Sequence, residues 1–134
     1  MGSVSEVTGV LETALYVADM SRSVAFYVNL FGFEIVDADE RLTALAVKKG
    51  QLLLLCARDA SPGLPALTHG ASGQQHVAFS ITEADLPPWR ERLARSRIPI
   101  VHERRWPRGG DSIYFRDPDG HLLELATPGV WSAY

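Results

Sequence analysis

The sequence is poor in cysteine, in long apolar runs and in any excess of positive charge, and each shortage removes a class of function. One cysteine, Cys56, in 134 residues excludes an internal disulfide framework and a cysteine-based zinc site, and fits a reducing compartment. Met1 to Val10 carries neither a basic stretch nor an apolar core, so no signal peptide or transmembrane helix is expected, and the expected location is cytoplasmic. Sixteen acidic residues against thirteen basic, a formal net charge of -3, is the wrong balance for a nucleic-acid binder. Neither nucleic acid nor membrane is an expected partner. There is no glycine-rich phosphate loop, no dinucleotide fingerprint and no Gly-x-Ser-x-Gly elbow. Gly109-Gly110 stands isolated, and Cys56 has no activating neighbour.

What is present describes one soluble globular domain, with 46% hydrophobic and 22% charged residues. Eight of the thirteen basic residues, all Arg, fall between Arg90 and Arg116. Arg90, Arg92, Arg95 and Arg97 read as the solvated face of a helix and Arg104, Arg105 and Arg108 as a surface loop, with an anion-attracting wall as the alternative.

The chain repeats its own plan. Glu12 to Val17 aligns with His76 to Ile81, and both segments alternate with period two. Glu12, Ala14 and Tyr16, like His76, Ala78 and Ser80, form a small or polar face. Thr13, Leu15 and Val17, like Val77, Phe79 and Ile81, form an apolar one. After each strand a short helix is expected. The first is capped by Asp19 or Ser21, carries Val24, Tyr27 and Phe31 inward and stops at Gly32. The second opens on Thr82 and Asp85 as a capping box, with Leu86, Trp89 and Leu93 inward and Pro87 and Pro88 in its first turn. Three strands then follow each helix: Phe33 to Asp37, Leu42 to Val47 and Gln51 to Ala57, then Ile98 to Glu103, Ser112 to Arg116 and His121 to Thr127. Gly50 and Gly120 occupy matching turns. The expected architecture is α+β, a single domain of two βαβββ modules, about 8–57 and about 76–128, joined by a linker at about 58–75 rich in Ser, Pro, Gly and Ala. Neither half is large enough to stand alone, so the two must pack within a chain or across a dimer.

Superposing the repeats pairs Glu12 with His76 and, four residues after the matching glycines, Leu54 with Glu124. Three of these four positions are metal-ligand types. Two carboxylates and an imidazole facing one concavity suit Fe, Mn, Ni, Co or Zn in an open site, and calcium less well. Plainer readings stand beside this one. A lone His on a strand is commonly a rim or core residue, and Glu12 opens a strand where water reaches it. Glu124, inside Leu122-Leu123-Glu124-Leu125-Ala126, needs a solvent-exposed edge, an Arg partner or a metal. His102 and His121 read as surface or turn residues. Tyr16 and Tyr114 are either hydrogen-bond donors toward a cavity or aromatic packing.

The run Ala18-Asp19-Met20-Ser21-Arg22-Ser23-Val24-Ala25-Phe26-Tyr27, followed by Leu30-Phe31-Gly32-Phe33-Glu34, resembles the first module of the vicinal oxygen chelate superfamily. Tyr114-Phe115-Arg116-Asp117-Pro118-Asp119-Gly120-His121-Leu122-Leu123-Glu124-Leu125 resembles its second, and the likeness covers residues 8 to 128. Members include glyoxalase I, bleomycin and fosfomycin resistance proteins, methylmalonyl-CoA epimerase and extradiol dioxygenases. The resemblance implies paired modules forming a curved mixed sheet around a cavity, where substrate oxygens chelate a divalent metal. The metal positions fall on Glu12, His76 and Glu124. Leu54 stands where four-ligand glyoxalases keep a carboxylate. A Glu rather than a His at the first position, and the missing Ser-rich loop at 104–110, set the chain apart from fosfomycin transferases.

The resemblance further implies a lyase, isomerase or dioxygenase acting on a small oxygenated substrate, with Glu12 as ligand and base and Tyr114 as donor to a substrate oxygen. Tyr16, Arg104, Arg105 and Trp106 are the expected substrate contacts, and a homodimer with two equivalent cavities is the expected assembly. The competing reading is a metal-free binding protein of the bleomycin-resistance type, holding a drug against Trp106, Trp131 and Tyr134.

Overall fold

The computed structural model describes residues 5–59 and 69–134. The middle of the expected linker, 60–68, lies outside the described residues. The first half runs β1 (Glu12–Val17), α1 (Met20–Phe31), β2 (Glu34–Ala38), β3 (Leu42–Lys48) and β4 (Gln51–Ala57). The second runs β5 (His76–Ser80), a 3-10 turn at Glu83–Asp85, α2 (Leu86–Arg95), β6 (His102–Arg105), β7 (Asp111–Arg116) and β8 (Leu122–Ala126). Each half is a four-stranded mixed sheet, ordered β1-β4-β3-β2 and β5-β8-β7-β6, so β1 and β5 are edge strands. The first and last strands of each half pair in parallel, as a crossover through a helix requires.

The register reproduces the equivalence drawn from the repeat. Leu54 lies opposite Ala14 and Glu124 opposite Ala78, while Glu12 faces Leu52 and His76 faces Leu122. Asp19 accepts a hydrogen bond from the Arg22 N–H at 3.0 Å and Gly32 stops α1 at φ 74°, both as expected from the residues.

Two expectations are corrected. The Thr82 side chain makes no capping bond, and a 3-10 turn precedes α2 instead of a capping box. Pro87 and Pro88 bring no N–H to the first turn, so two of the donors that a cap satisfies are absent. The sixth strand begins at His102, not Ile98. Ile98 spends its N–H on the Leu93 carbonyl (2.9 Å), after Arg97 has taken a left-handed φ of 57° to end the helix, and Pro99 cannot donate to a ladder.

One core spans both halves. Leu15, Tyr27, Leu45, Leu53 and Leu55 from the first meet Leu93, Ile113, Phe115, Leu123 and Leu125 from the second, all essentially without solvent contact. Each such side chain contributes roughly 2 kcal/mol by burial. Phe31 is the aromatic hub, with ring centroids 4.8 to 5.3 Å from Phe33, Phe79 and Trp89.

A polar seam joins the halves behind that core. The turn Asp117–Gly120 folds back on β1 and α1. The buried Tyr27 hydroxyl donates to Asp117 at 2.6 Å, and Asp119 accepts from the Ala18 N–H (2.9 Å) and the Ser23 hydroxyl (3.1 Å). His121, expected at the surface, has no solvent exposure. Its Nδ1 accepts the Gln75 N–H at 2.9 Å and its Nε2 meets the Tyr16 carbonyl at 2.7 Å, which fixes the neutral Nε2–H tautomer. The turn carries the residue after Gly120 inward, between the halves. The Gln75 side chain closes the seam by accepting the Tyr16 N–H at 2.8 Å.

Candidate metal centre

His76 and Glu124 sit side by side on β5 and β8, because parallel pairing puts His76 two residues, and so on the same face, from Ala78, the partner of Glu124. His76 Nε2 lies 3.3 Å from Glu124 Oε1. His76 Nδ1 is 2.8 Å from the Leu122 carbonyl, and a carbonyl can only accept, so Nδ1 carries the proton. Nε2 is then the ring atom that faces a carboxylate oxygen. Two acceptors at that distance repel unless a cation lies between them, a proton or a metal ion. Donor atoms 3.3 Å apart are also spaced as two ligands sharing one ion at about 2.1 Å each.

Glu124 is 7% exposed and its other oxygen is held. Ser112 donates to Oε2 at 2.6 Å and itself accepts from Trp106 Nε1 at 2.8 Å. The Arg104 guanidinium caps the Trp106 ring at 3.7 Å. This relay leaves Oε1 free toward His76 and orients it, as outer partners of metal ligands do. Replacing Ser112 with Ala should weaken divalent-metal affinity about tenfold, measured by competition with a metal-binding dye, and lower the melting temperature by about 3 to 8 °C, because the Trp106 N–H and a buried Glu124 oxygen lose their partner. An affinity within twofold of the parent would show that the hydroxyl does not position Glu124.

The pair opens on a cavity of about 300 Å³, lined also by Tyr114, Trp106, Trp131 and Tyr134. Burial pushes the Tyr114 phenol up, with the Glu124 charge adding to it and Ser112 and Arg104 opposing, so at neutral pH it is a proton donor. Trp106 and Tyr114 thus line the cavity that His76 and Glu124 open on.

The remaining predicted residues lie elsewhere. Glu12 is exposed and lines a separate concavity with Thr13, Gln51 and Val77, of about 300 Å³, which shares the wall formed by Ala78 and Phe79. Tyr16 is buried on the first sheet with its hydroxyl against His69 Nδ1. Arg104 stacks on Trp106 from β6, and Arg105 points to Asp111 at 3.7 Å. Neither arginine lines the His76–Glu124 cavity. Arg90 pairs with Glu103 and Arg92 lies over Trp89, the solvated helix face expected.

Among the described residues, the group of three potential ligands whose donor atoms lie within 4.8 Å of one another is Asp117, Asp119 and His121. The seam already occupies it: both His121 nitrogens are bonded, and Asp117 accepts from Tyr27 and from the backbone of Asp119 and His121. Sequence reading also missed Ser112, which stands out by facing Ala126 and lying two register positions from the Tyr114–Glu124 pair. Burial pushes the Cys56 thiol up, with Glu12 adding to it. It is a protonated core thiol rather than a nucleophile.

Several known proteins resemble the chain over most of its length. The metallothiol transferase FosB of Bacillus licheniformis is 31% identical over 128 residues, spanning 95% of this chain and 80% of its own. A solved structure described as lactoylglutathione lyase from Agrobacterium tumefaciens is 34% identical, with a TM-score of 0.86 over 96% of this chain and 99% of the other. A mutant of the fosfomycin resistance protein FosX of Listeria monocytogenes, solved with Mn(II) and 1S,2S-dihydroxypropylphosphonic acid, is 25% identical. It superposes with a TM-score of 0.68 over 90% of both chains. The sequence profile of the glyoxalase/bleomycin resistance protein/dioxygenase superfamily matches residues 9–125, and the chain belongs to that superfamily.

Proposed function

We propose that this protein is a divalent-metal-dependent enzyme acting on a small oxygenated substrate, its metal held by His76 and Glu124 of one chain and Glu12 of a second copy. The observation that carries this is His76 Nε2 facing Glu124 Oε1 at 3.3 Å with both outer atoms already bonded. Such a pair, half open to solvent on the His76 side, calls for a cation and offers it entry. The FosX structure, solved with Mn(II) and a diol phosphonate, supports the same reading by likeness.

When bound, a divalent ion supplies Lewis-acid polarisation of adjacent substrate oxygens. The chain's own residues set the conditions. Leu122 fixes the His76 tautomer, Ser112 aims Glu124, and Tyr114, protonated at neutral pH, donates to a substrate oxygen in the cavity. Glu12 presents an exposed carboxylate outside its own chain's cavity, able to complete a second copy's site and to accept a proton there.

Elemental analysis after reconstitution with Mn(II) should give close to one ion per chain. Metal-free protein after reconstitution would overturn the proposal. Glu12→Gln and Glu124→Gln chains, each defective alone, should on random mixing regain about a quarter of the intact sites if the site spans two copies. No recovery would return Glu12 to the role of a solvated strand residue.

A further inference from the structure

We infer that the cavity above His76 and Glu124 takes a substrate bearing a flat aromatic substituent, seated on the wall formed by Trp106 and Trp131. The placing of the substrate's oxygens rests on the metal-centre reading above, whereas the seat of the ring rests on the wall itself.

The wall is built by two backbone approaches that tolerate no side chain. A Cβ on Gly110 would lie 2.5 Å from the Val130 nitrogen, and one on Gly129, whose φ is +106°, would lie 2.7 Å from the Gly110 nitrogen. The β6–β7 turn and the C-terminal tail are therefore clasped glycine to glycine, which brings Trp106 and Trp131 to 6.3 Å at 33°. The tail is tied down again where Tyr134 donates its hydroxyl to the Ala126 carbonyl at 2.8 Å and accepts the Gly129 N–H on its own carbonyl at 2.7 Å. Gly109-Gly110, isolated in the sequence, thus has a partner in Gly129.

The chemistry of the lining selects the ligand. Its described residues include no Lys or Arg, and the guanidinium of Arg104 is committed to the Trp106 ring. An anionic head such as a phosphonate finds no cation on this chain's described walls. An aromatic ring finds indole faces, one of them, Trp131, 67% exposed at the mouth.

Two probes separate the ring from the chelate. Mn(II)-loaded protein is titrated with 4-nitrocatechol, an aromatic chelator, and with oxalate, an aliphatic one. Protein treated with EDTA is titrated with 4-nitrophenol. Trp131→Ala should weaken both nitroaromatic probes about fivefold and leave oxalate unchanged, and Trp131→Phe should restore most of the loss. If Trp131→Ala leaves nitroaromatic affinity unchanged, or weakens oxalate equally, the ring seat is wrong. It is equally wrong if the substitution changes the oligomeric state alone, since a second copy then covers the indole. Oxalate binding without 4-nitrophenol binding would overturn the ring seat and spare the metal centre. Trp131-dependent 4-nitrophenol binding, with neither chelator held by Mn(II)-treated protein, would do the reverse.

Discussion

Exchanging Glu124 for Gln should reduce Mn(II) affinity by at least about a hundredfold while the protein folds and melts as before, because losing a ligand exceeds the effect of losing its outer partner. The amide keeps the shape of the carboxylate, and Ser112 can still donate to its oxygen. Its NH₂ can then donate to the His76 Nε2 across the 3.3 Å gap. The substitution thus fills the place of the cation with a hydrogen bond. His76→Ala should lose metal equally, and its half-exposed side chain makes it a mild change for the fold. Equilibrium dialysis with elemental analysis, alongside thermal melts, checks both. Metal affinity within threefold of the parent in either variant would remove that residue from the site.

The second large effect is on stability. His121→Ala should cost about 3 to 4 kcal/mol, since it opens a void and strands the Gln75 N–H and the Tyr16 carbonyl. For a chain of this size the melting temperature should fall by about 10 to 15 °C. Tyr27→Phe should cost less, about 1 to 2 kcal/mol, because Asp117 keeps its bonds from the Asp119 and His121 N–H groups. Below its melting temperature the His121 variant should retain metal like the parent, which separates the seam from the metal centre. A His121→Ala protein that melts within 3 °C of the parent would show that the seam is not what binds the halves.

These two histidines show how far the residues alone can be read. The repeat, the two helices and the pairing of Glu12 with His76 and Leu54 with Glu124 were legible because alternation and turn glycines are local, and the strand register reproduces them. His121 was misread because nothing in the turn and strand around it reports on β1. Its burial follows from a turn folding onto a segment about a hundred residues earlier, as its bond to Tyr16 shows. The distant placing of Glu12, Tyr16 and Arg105 was hidden for the same reason: a face can be read from period two, but not which other face it meets. Ser112 and the Gly110–Gly129 contact are likewise long-range pairings, visible once β7 lies beside β8 and the tail folds back. The start of the sixth strand was lost to a local competition, in which Ile98 was claimed by the helix end.

The seam grips the first strand almost wholly by its main chain. It takes the N–H and carbonyl of Tyr16 and the N–H of Ala18, none of which changes when a side chain is replaced. Position 16 can therefore exchange its phenol for another group of similar bulk without loosening the join between the halves. Assembly and surface chemistry are separately inherited along this strand, and a lineage can revise one while keeping the other.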